Sequence, residues 1–355
     1  MGLAIGLLLA EVGLRVVRTP LVRLDRRPAV YQLDPDLGFR YIPNSSDYIE
    51  RLDFRTPIHL NSSGFYDDPF PTPGIPPPPG STRIAAIGDS FTVGWQAGRG
   101  KNFPDILEQQ LNESDAAGCP CEVLNFGLSG TGTVQQALIF EQFVLEYQPD
   151  VVLVAFYRND VEDVAYGIVY QEVYRDYVLS YSDESQRQSL IREVDDLLGG
   201  GGAALRAAIQ RSYVVRAVYN TWLQQQGEPS PNLRDNRIYA KRERKTSNKR
   251  ARRNIVASTA RIDETCQEIG CELVFVVIPS REEVDATESP LHQPIVEELD
   301  LLGVRTLVLL ESFQQHHAQG EQLFWPHDAH ATQAGYQLIA DEIAAYLRQE
   351  SLLAN

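Results

Sequence analysis

The chain has 355 residues, of which 43% are hydrophobic, and a formal charge of −16. That length allows two or three domain-sized units, or one large domain with insertions. The acidic balance excludes general nucleic-acid binding through a basic face and suits a protein that repels other anions.

Residues 1–26 open with MGLAIGLLLAEVGLRVV. The run is apolar but broken by Glu11 and Arg15, a helical i,i+4 ion pair in its favoured order. It falls short of the ~20 apolar residues of a membrane span, and lacks a basic leader and a clear cleavage site. The readings are a truncated signal anchor, an interfacial helix or a docking helix. Membrane association is the expectation, and no other stretch is a transmembrane candidate. Residues 27–80 follow with scattered aromatics and turn signals at Asp34-Pro35, Pro43-Asn44 and Asn61-Ser62-Ser63-Gly64. They read as a small strand-rich lead-in, closed by the stiff connector PFPTPGIPPPPG at 69–80.

Residues 81–355 read as the main domain. Near-continuous apolar runs at Arg83–Ile87, Glu122–Phe126, Val151–Tyr157, Glu272–Ile278 and Val304–Leu310 predict about five parallel strands buried on both faces. Ala137, Phe140, Val144 and Tyr147 share one helical face, as do Tyr336, Ile339, Ile343 and Leu347. Strand–helix alternation predicts an α/β fold with a doubly wound, three-layer α/β/α arrangement. Residues 161–268 lack a convincing strand and read as an inserted helical cap, interrupted by GGGG at 199–202.

Within that insertion, Lys241–Arg253 holds eight basic residues and one Glu. Contact with membrane phosphates or nucleic acid is one reading; a solvated helix face or loop is the favoured one. Four cysteines, Cys119, Cys121, Cys266 and Cys271, make a weak zinc pattern. Buried thiols, or one disulfide in an exported protein, are expected instead, and no metal or cofactor is implied.

Four polar stretches end or follow sheet elements: Gly88-Asp89-Ser90, NFGLSG at 125–130, Arg158-Asn159-Asp160 and HDAHATQAG at 327–335. An open α/β sheet binds ligands outside the carboxyl ends of its strands, so the fold would gather all four at one edge. Their chemistry is acyl transfer. A serine hydroxyl needs a neighbouring base to take its proton. His330 is a candidate base for Ser90, and Asp328 a candidate to orient the imidazole. The N–H groups of Ser90 and Gly130 and the amide of Asn159 are candidate oxyanion donors, each worth about 3–4 kcal/mol of transition-state stabilisation. Gly130 suits close approach of a substrate to the backbone. Taken singly, each stretch also reads as a turn or a helix cap.

The order GDS, NxGxxG, ND and a late D-x-H resembles the SGNH superfamily, also called GDSL hydrolases, over about residues 82–347. The resemblance implies a flavodoxin-like sheet, a serine esterase or lipase, an acyl-serine intermediate, Ser90 as nucleophile, His330 as base, and Gly130 and Asn159 in the oxyanion hole. Three of the motifs depart from the family's pattern. Phe91 replaces Leu, Tyr157 and Arg158 stand where a Gly usually precedes Asn-Asp, and Asp328 lies two residues before His330 instead of three. His327 is a further pocket candidate. GDSFT is not the G-x-S-x-G elbow, which argues against the α/β-hydrolase fold. His59, His292, His316 and His317 read as structural or surface residues.

The expected function is therefore cleavage of acyl or acetyl esters of a small molecule, glycan or lipid. The alternatives are O-acyl transfer to a glycan hydroxyl and a non-catalytic glycan-binding protein of the same fold. No nucleic-acid partner is expected. A membrane-associated or exported place in a bacterial envelope is expected, with a cytoplasmic one as the alternative.

Overall fold

The computed structural model describes residues 2–17, 19–114, 120–227 and 231–353. The chain begins with α1 (Gly2–Val16), followed by two hairpins, β1 (Tyr31–Asp34) with β2 (Gly38–Tyr41) and β3 (Ser46–Glu50) with β4 (Arg55–His59). The main domain then runs β5 (Thr82–Gly88), α2 (Ser90–Val93), α3 (Phe103–Ser114), β6 (Cys121–Gly127), α4 (Thr133–Ile139), β7 (Val151–Phe156) and α5 (Asn159–Tyr166). The insertion holds β8 (Tyr170–Tyr174), β9 (Tyr177–Tyr181), α6 (Glu184–Leu198), α7 (Gly202–Arg211), α8 (Tyr213–Gln225) and β10 (Arg237–Tyr239). The chain returns through α9 (Asn248–Ile269), β11 (Glu272–Val277), α10 (Arg281–Val284), α11 (Gln293–Leu301), β12 (Arg305–Val308), α12 (Leu310–Ala318) and α13 (Gln333–Gln349).

All five strands of the main sheet are parallel, in the order β12-β11-β7-β5-β6. This is the flavodoxin-like order, and its switch point lies between β5 and β7. Alternate residues serve opposite faces, as the two-residue strand period requires. Ile87, Val154 and Phe275 join one core with α4, α9 and α11. Ile84, Leu153 and Val276 join the other with α3, α12 and α13. Burial on both faces is why these strands read as unbroken apolar runs.

The insertion is not purely helical, which corrects the expectation for 161–268. β8 and β9 pair antiparallel, and β10 joins β9 in parallel to make a three-stranded sheet. The joint is a two-residue turn in which Arg175 and Asp176 have φ of +49° and +69°. Such turns usually advertise themselves with Asn or Gly. Here the carboxylate of Asp176 is bound by Arg26 at 2.9 Å and by Arg206 at 2.9 Å, so ion pairs hold a turn that the local sequence does not signal.

The basic run also divides. Arg242 pairs with Asp163 at 3.1 Å and Arg244 with Glu162 at 3.3 Å, both on α5. Residues from 248 onward start α9. Cys266 and Cys271 form a disulfide across the α9–β11 turn; Cys121 is buried at the start of β6, and Cys119 lies outside the described residues. No described helix is long and apolar enough to cross a membrane, and among the described residues no group of three His, Cys, Asp or Glu could hold a metal ion.

Candidate active site

The turn that carries Ser90 is built by close packing of backbone. After β5, a side chain at Gly88 would put its Cβ 2.1 Å from Thr92 Oγ1 and 3.0 Å from the Ala155 carbonyl. A side chain at Gly127, which ends β6, would meet the Val93 nitrogen at 2.5 Å. Only glycines let these two strand ends close on α2. Asp89 caps α2 by accepting the Phe91 N–H at 2.8 Å, a bond an N-cap carboxylate favours. Asn125 donates to the Thr92 carbonyl at 2.9 Å and accepts the Gly127 N–H at 2.9 Å. The first residue of NFGLSG therefore stitches β6 to the Ser90 turn.

His330 arrives from the loop before α13. The Trp325 N–H bonds the His330 carbonyl at 3.1 Å and the Thr332 N–H bonds the Leu323 carbonyl at 2.9 Å. Thr332 then caps α13 by accepting the Gly335 N–H at 3.3 Å. Gly335 has no room for a Cβ, which would lie 2.3 Å from the Leu323 carbonyl. HATQAG is thus a loop closure and a helix start in one.

These elements bring three of the expected residues into one chain of contacts. Ser90 Oγ lies 2.8 Å from His330 Nε2, and His330 Nδ1 bonds Asp328 Oδ1. The same oxygen accepts the His330 N–H at 3.0 Å. The two-residue spacing works because Asp328 curls back to its neighbour's backbone and ring together. Burial alone would raise the Asp328 carboxyl. The His330 ring and N–H outweigh it, with the Arg51 charge helping, and bring it down to about 2. Asp328 is an anion throughout the neutral range.

Asn159 starts α5 at the end of β7, across the switch point from Ser90. Its amide nitrogen donates to Asp89 Oδ2 at 3.0 Å and to Asp163 Oδ2 at 3.1 Å, while its Oδ1 is buried without a partner. Both donors are occupied by carboxylates, so one must be shared or released before an oxyanion can use it. Burial raises the carboxyls of Asp89 and, to about 6, Asp163. Gly130 sits at φ +87° with open space on its Cβ side, Gln171 of β8 being the nearest side chain at 3.7 Å.

The two aromatic departures from the family's pattern explain each other. Phe91 stacks on Tyr157 with ring centres 4.0 Å apart and lies 5.0 Å from the His330 ring. Arg158 turns away, bonding Ser280 at 3.2 Å and pairing with Glu288.

Several supporting residues had no readable signal in the sequence. Tyr41 of the lead-in accepts the Ser129 N–H at 2.8 Å and so braces the loop that carries Gly130. Asp53 binds His327 through its N–H at 2.7 Å and its ring at 2.8 Å, so His327 is a loop clamp placed beside Asp328 and His330. Arg281 binds the carbonyls of Trp325, Pro326 and Asp328. Its guanidinium fork suits several acceptors at once.

Residues 234–355 match a family model described as an SGNH hydrolase-like domain, acetyltransferase AlgX; the match includes Asp328 and His330 and leaves Ser90 outside. The similarity to an SGNH hydrolase-like domain covers this C-terminal third of the chain. No curated protein matches it. Among solved structures, a two-domain esterase active on acetylated mannans is similar over 76% of this chain at 12% identity and a TM-score of 0.42. This chain spans only 49% of that esterase. The acetyl xylan esterase AlAXEase is similar over 75% of this chain and 99% of its own, at 11% identity and a TM-score of 0.43. An acetylxylan esterase from Geobacillus stearothermophilus is similar over 75% and 93%, at 12% identity and a TM-score of 0.39.

Proposed function

We propose that this protein is a hydrolase of the SGNH type that cleaves carboxylic esters through an acyl intermediate on Ser90. The observation that carries the reading is the continuous Ser90–His330–Asp328 relay, with 2.8 Å between the hydroxyl and the imidazole. His330 Nε2 takes the Ser90 proton as Oγ attacks the acyl carbon. The C–O bond to the alcohol breaks, and the imidazolium returns the proton to the leaving oxygen. A second nucleophile, deprotonated by the same histidine, then releases the acyl group. Ionised Asp328 holds Nδ1–H and stabilises the imidazolium. The N–H groups of Ser90 and Gly130 and the Asn159 amide would receive the oxyanion.

If that second nucleophile is water, the enzyme is an esterase. If it is a glycan hydroxyl, it is an O-acyltransferase. One observation favours keeping the transferase as the second reading: the C-terminal third matches a family described as an acetyltransferase.

The test is intact mass after a fluorophosphonate on wild type, Ser90→Ala and His330→Ala. One adduct on wild type, absent from Ser90→Ala and slow on His330→Ala, is expected. A folded wild type that takes no adduct would overturn the reading. With an activated acetyl ester as donor, acetate release measured with and without an added glycan then separates esterase from transferase.

A further inference from the structure

Helix α1 stands outside every core of the protein. None of its fifteen residues is buried, and Leu3, Leu8 and Leu9 are 81%, 64% and 66% exposed. Residues 2–10 carry no polar side chain at all. They make about 13 Å of helix, comparable with the ~15 Å of hydrocarbon in one leaflet. A helix that seats in a protein groove is apolar along one stripe; this one is apolar all round, the pattern of a helix in an apolar medium.

The helix is also held at a fixed attitude. Glu11 accepts the N–H groups of Tyr213 and Val214, each at 3.0 Å, and the Ser212 hydroxyl at 2.9 Å. One carboxylate thus satisfies the first turn of α8, whose positive end favours it. Next to this joint α8 exposes Val218 and Trp222, the latter 48% exposed and of the residue type that settles at membrane–water boundaries.

At the base of α1 lies a cavity of about 350 Å³ lined by Arg15, Arg55, Arg211 and Arg216 with Tyr48, Tyr213, Gln210 and Glu50. Arg216 is spent on Glu50 at 2.8 Å, and Arg15 on Glu11 at 2.8 Å. Arg55 reaches Glu50 only at 3.4 Å, and both Arg55 and Arg211 are exposed. Two copies of the chain packed in parallel through α1 would bring two such arginine clusters together, which disfavours that arrangement.

We propose that α1 inserts into a lipid bilayer and that the arginine cavity at its base receives the phosphate of an anionic headgroup. The attachment would fix how the catalytic domain sits over the surface, because seven residues after α1 ends, Arg23 lines a cavity whose far wall includes Asp328.

The test is flotation of the full chain with phosphatidylcholine vesicles and with phosphatidylglycerol vesicles. Wild type is expected to float with both and to prefer phosphatidylglycerol. Leu7→Asp/Leu8→Asp should stay in the buffer with either. Arg55→Gln/Arg211→Gln should keep its phosphatidylcholine binding and lose about thirty-fold on phosphatidylglycerol, about five-fold per arginine. Failure of wild type to float would overturn the proposal. So would a lipid-free dimer that Leu7→Asp/Leu8→Asp makes monomeric, which would give α1 to a second copy. An unchanged phosphatidylglycerol preference in the Gln variant would remove the headgroup cavity. Ser90→Ala should float like wild type, so the outcome is independent of the proposed ester chemistry.

Discussion

Asp328→Asn is the sharpest perturbation of the relay. The lowering of the Asp328 carboxyl from 3.8 to about 2 corresponds to about 2 kcal/mol of preference for its ionised form. That preference comes from the His330 ring and N–H working against burial. An asparagine fits the same space and its Oδ1 can still accept the His330 N–H and Nδ1–H, but it carries no charge to stabilise the imidazolium that forms as Ser90 loses its proton. On that electrostatic loss kcat should fall by about 10²–10³. Stability should change with a definite sign. A carboxyl whose folded value lies below its unfolded value stabilises the fold above pH 3.8, and this is lost as pH falls towards 2. The variant should therefore be about 2 kcal/mol less stable than wild type near neutrality, with the gap narrowing below pH 4. Initial rates on a chromogenic acetate ester and urea melts from neutral to acid pH read both effects. Because the residues act as a unit, Ser90→Ala/Asp328→Asn should be no slower than Ser90→Ala alone. A folded Asp328→Asn with kcat within an order of magnitude of wild type would refute the relay.

Asn159→Ala should lower kcat by about 10²–10³ at unchanged KM if its amide meets the oxyanion, and an undiminished kcat would restrict Asn159 to anchoring Asp89 and Asp163. Gly130→Ala and Gly88→Ala should differ in kind. At Gly130 there is room for a Cβ, so the cost is the left-handed backbone, about 1–2 kcal/mol in a thermal melt, with the fold retained. At Gly88 the Cβ would collide with Thr92 and the Ala155 carbonyl, and the soluble yield should collapse. Equal stability of the two variants would contradict the packing described for the Ser90 turn.

Much of this protein was legible because local periodicity and strand-end chemistry survive in the linear sequence. The five parallel strands announce themselves as unbroken apolar runs, since both faces of the sheet are covered. Ser90, Asp328 and His330 are legible because each ends or follows such an element in motif order. The turn at Arg175 and Asp176 was not, because its φ > 0 residues are held by Arg26 and Arg206 from elsewhere in the chain. Nor were the braces. Tyr41 and Ser129 are 88 residues apart and Asp53 and His327 are 274 apart, with nothing in either neighbourhood to announce the pairing. The layered α/β core and the candidate residues for acyl chemistry could be read along the chain, since burial and turn geometry leave marks at short range. The sheet order that sets Ser90 opposite Asn159, the engagement of the Asn159 amide by two carboxylates and the exposure of α1 appear only in the folded protein. Those depend on which distant surfaces meet, and a single chain read in order does not carry that information.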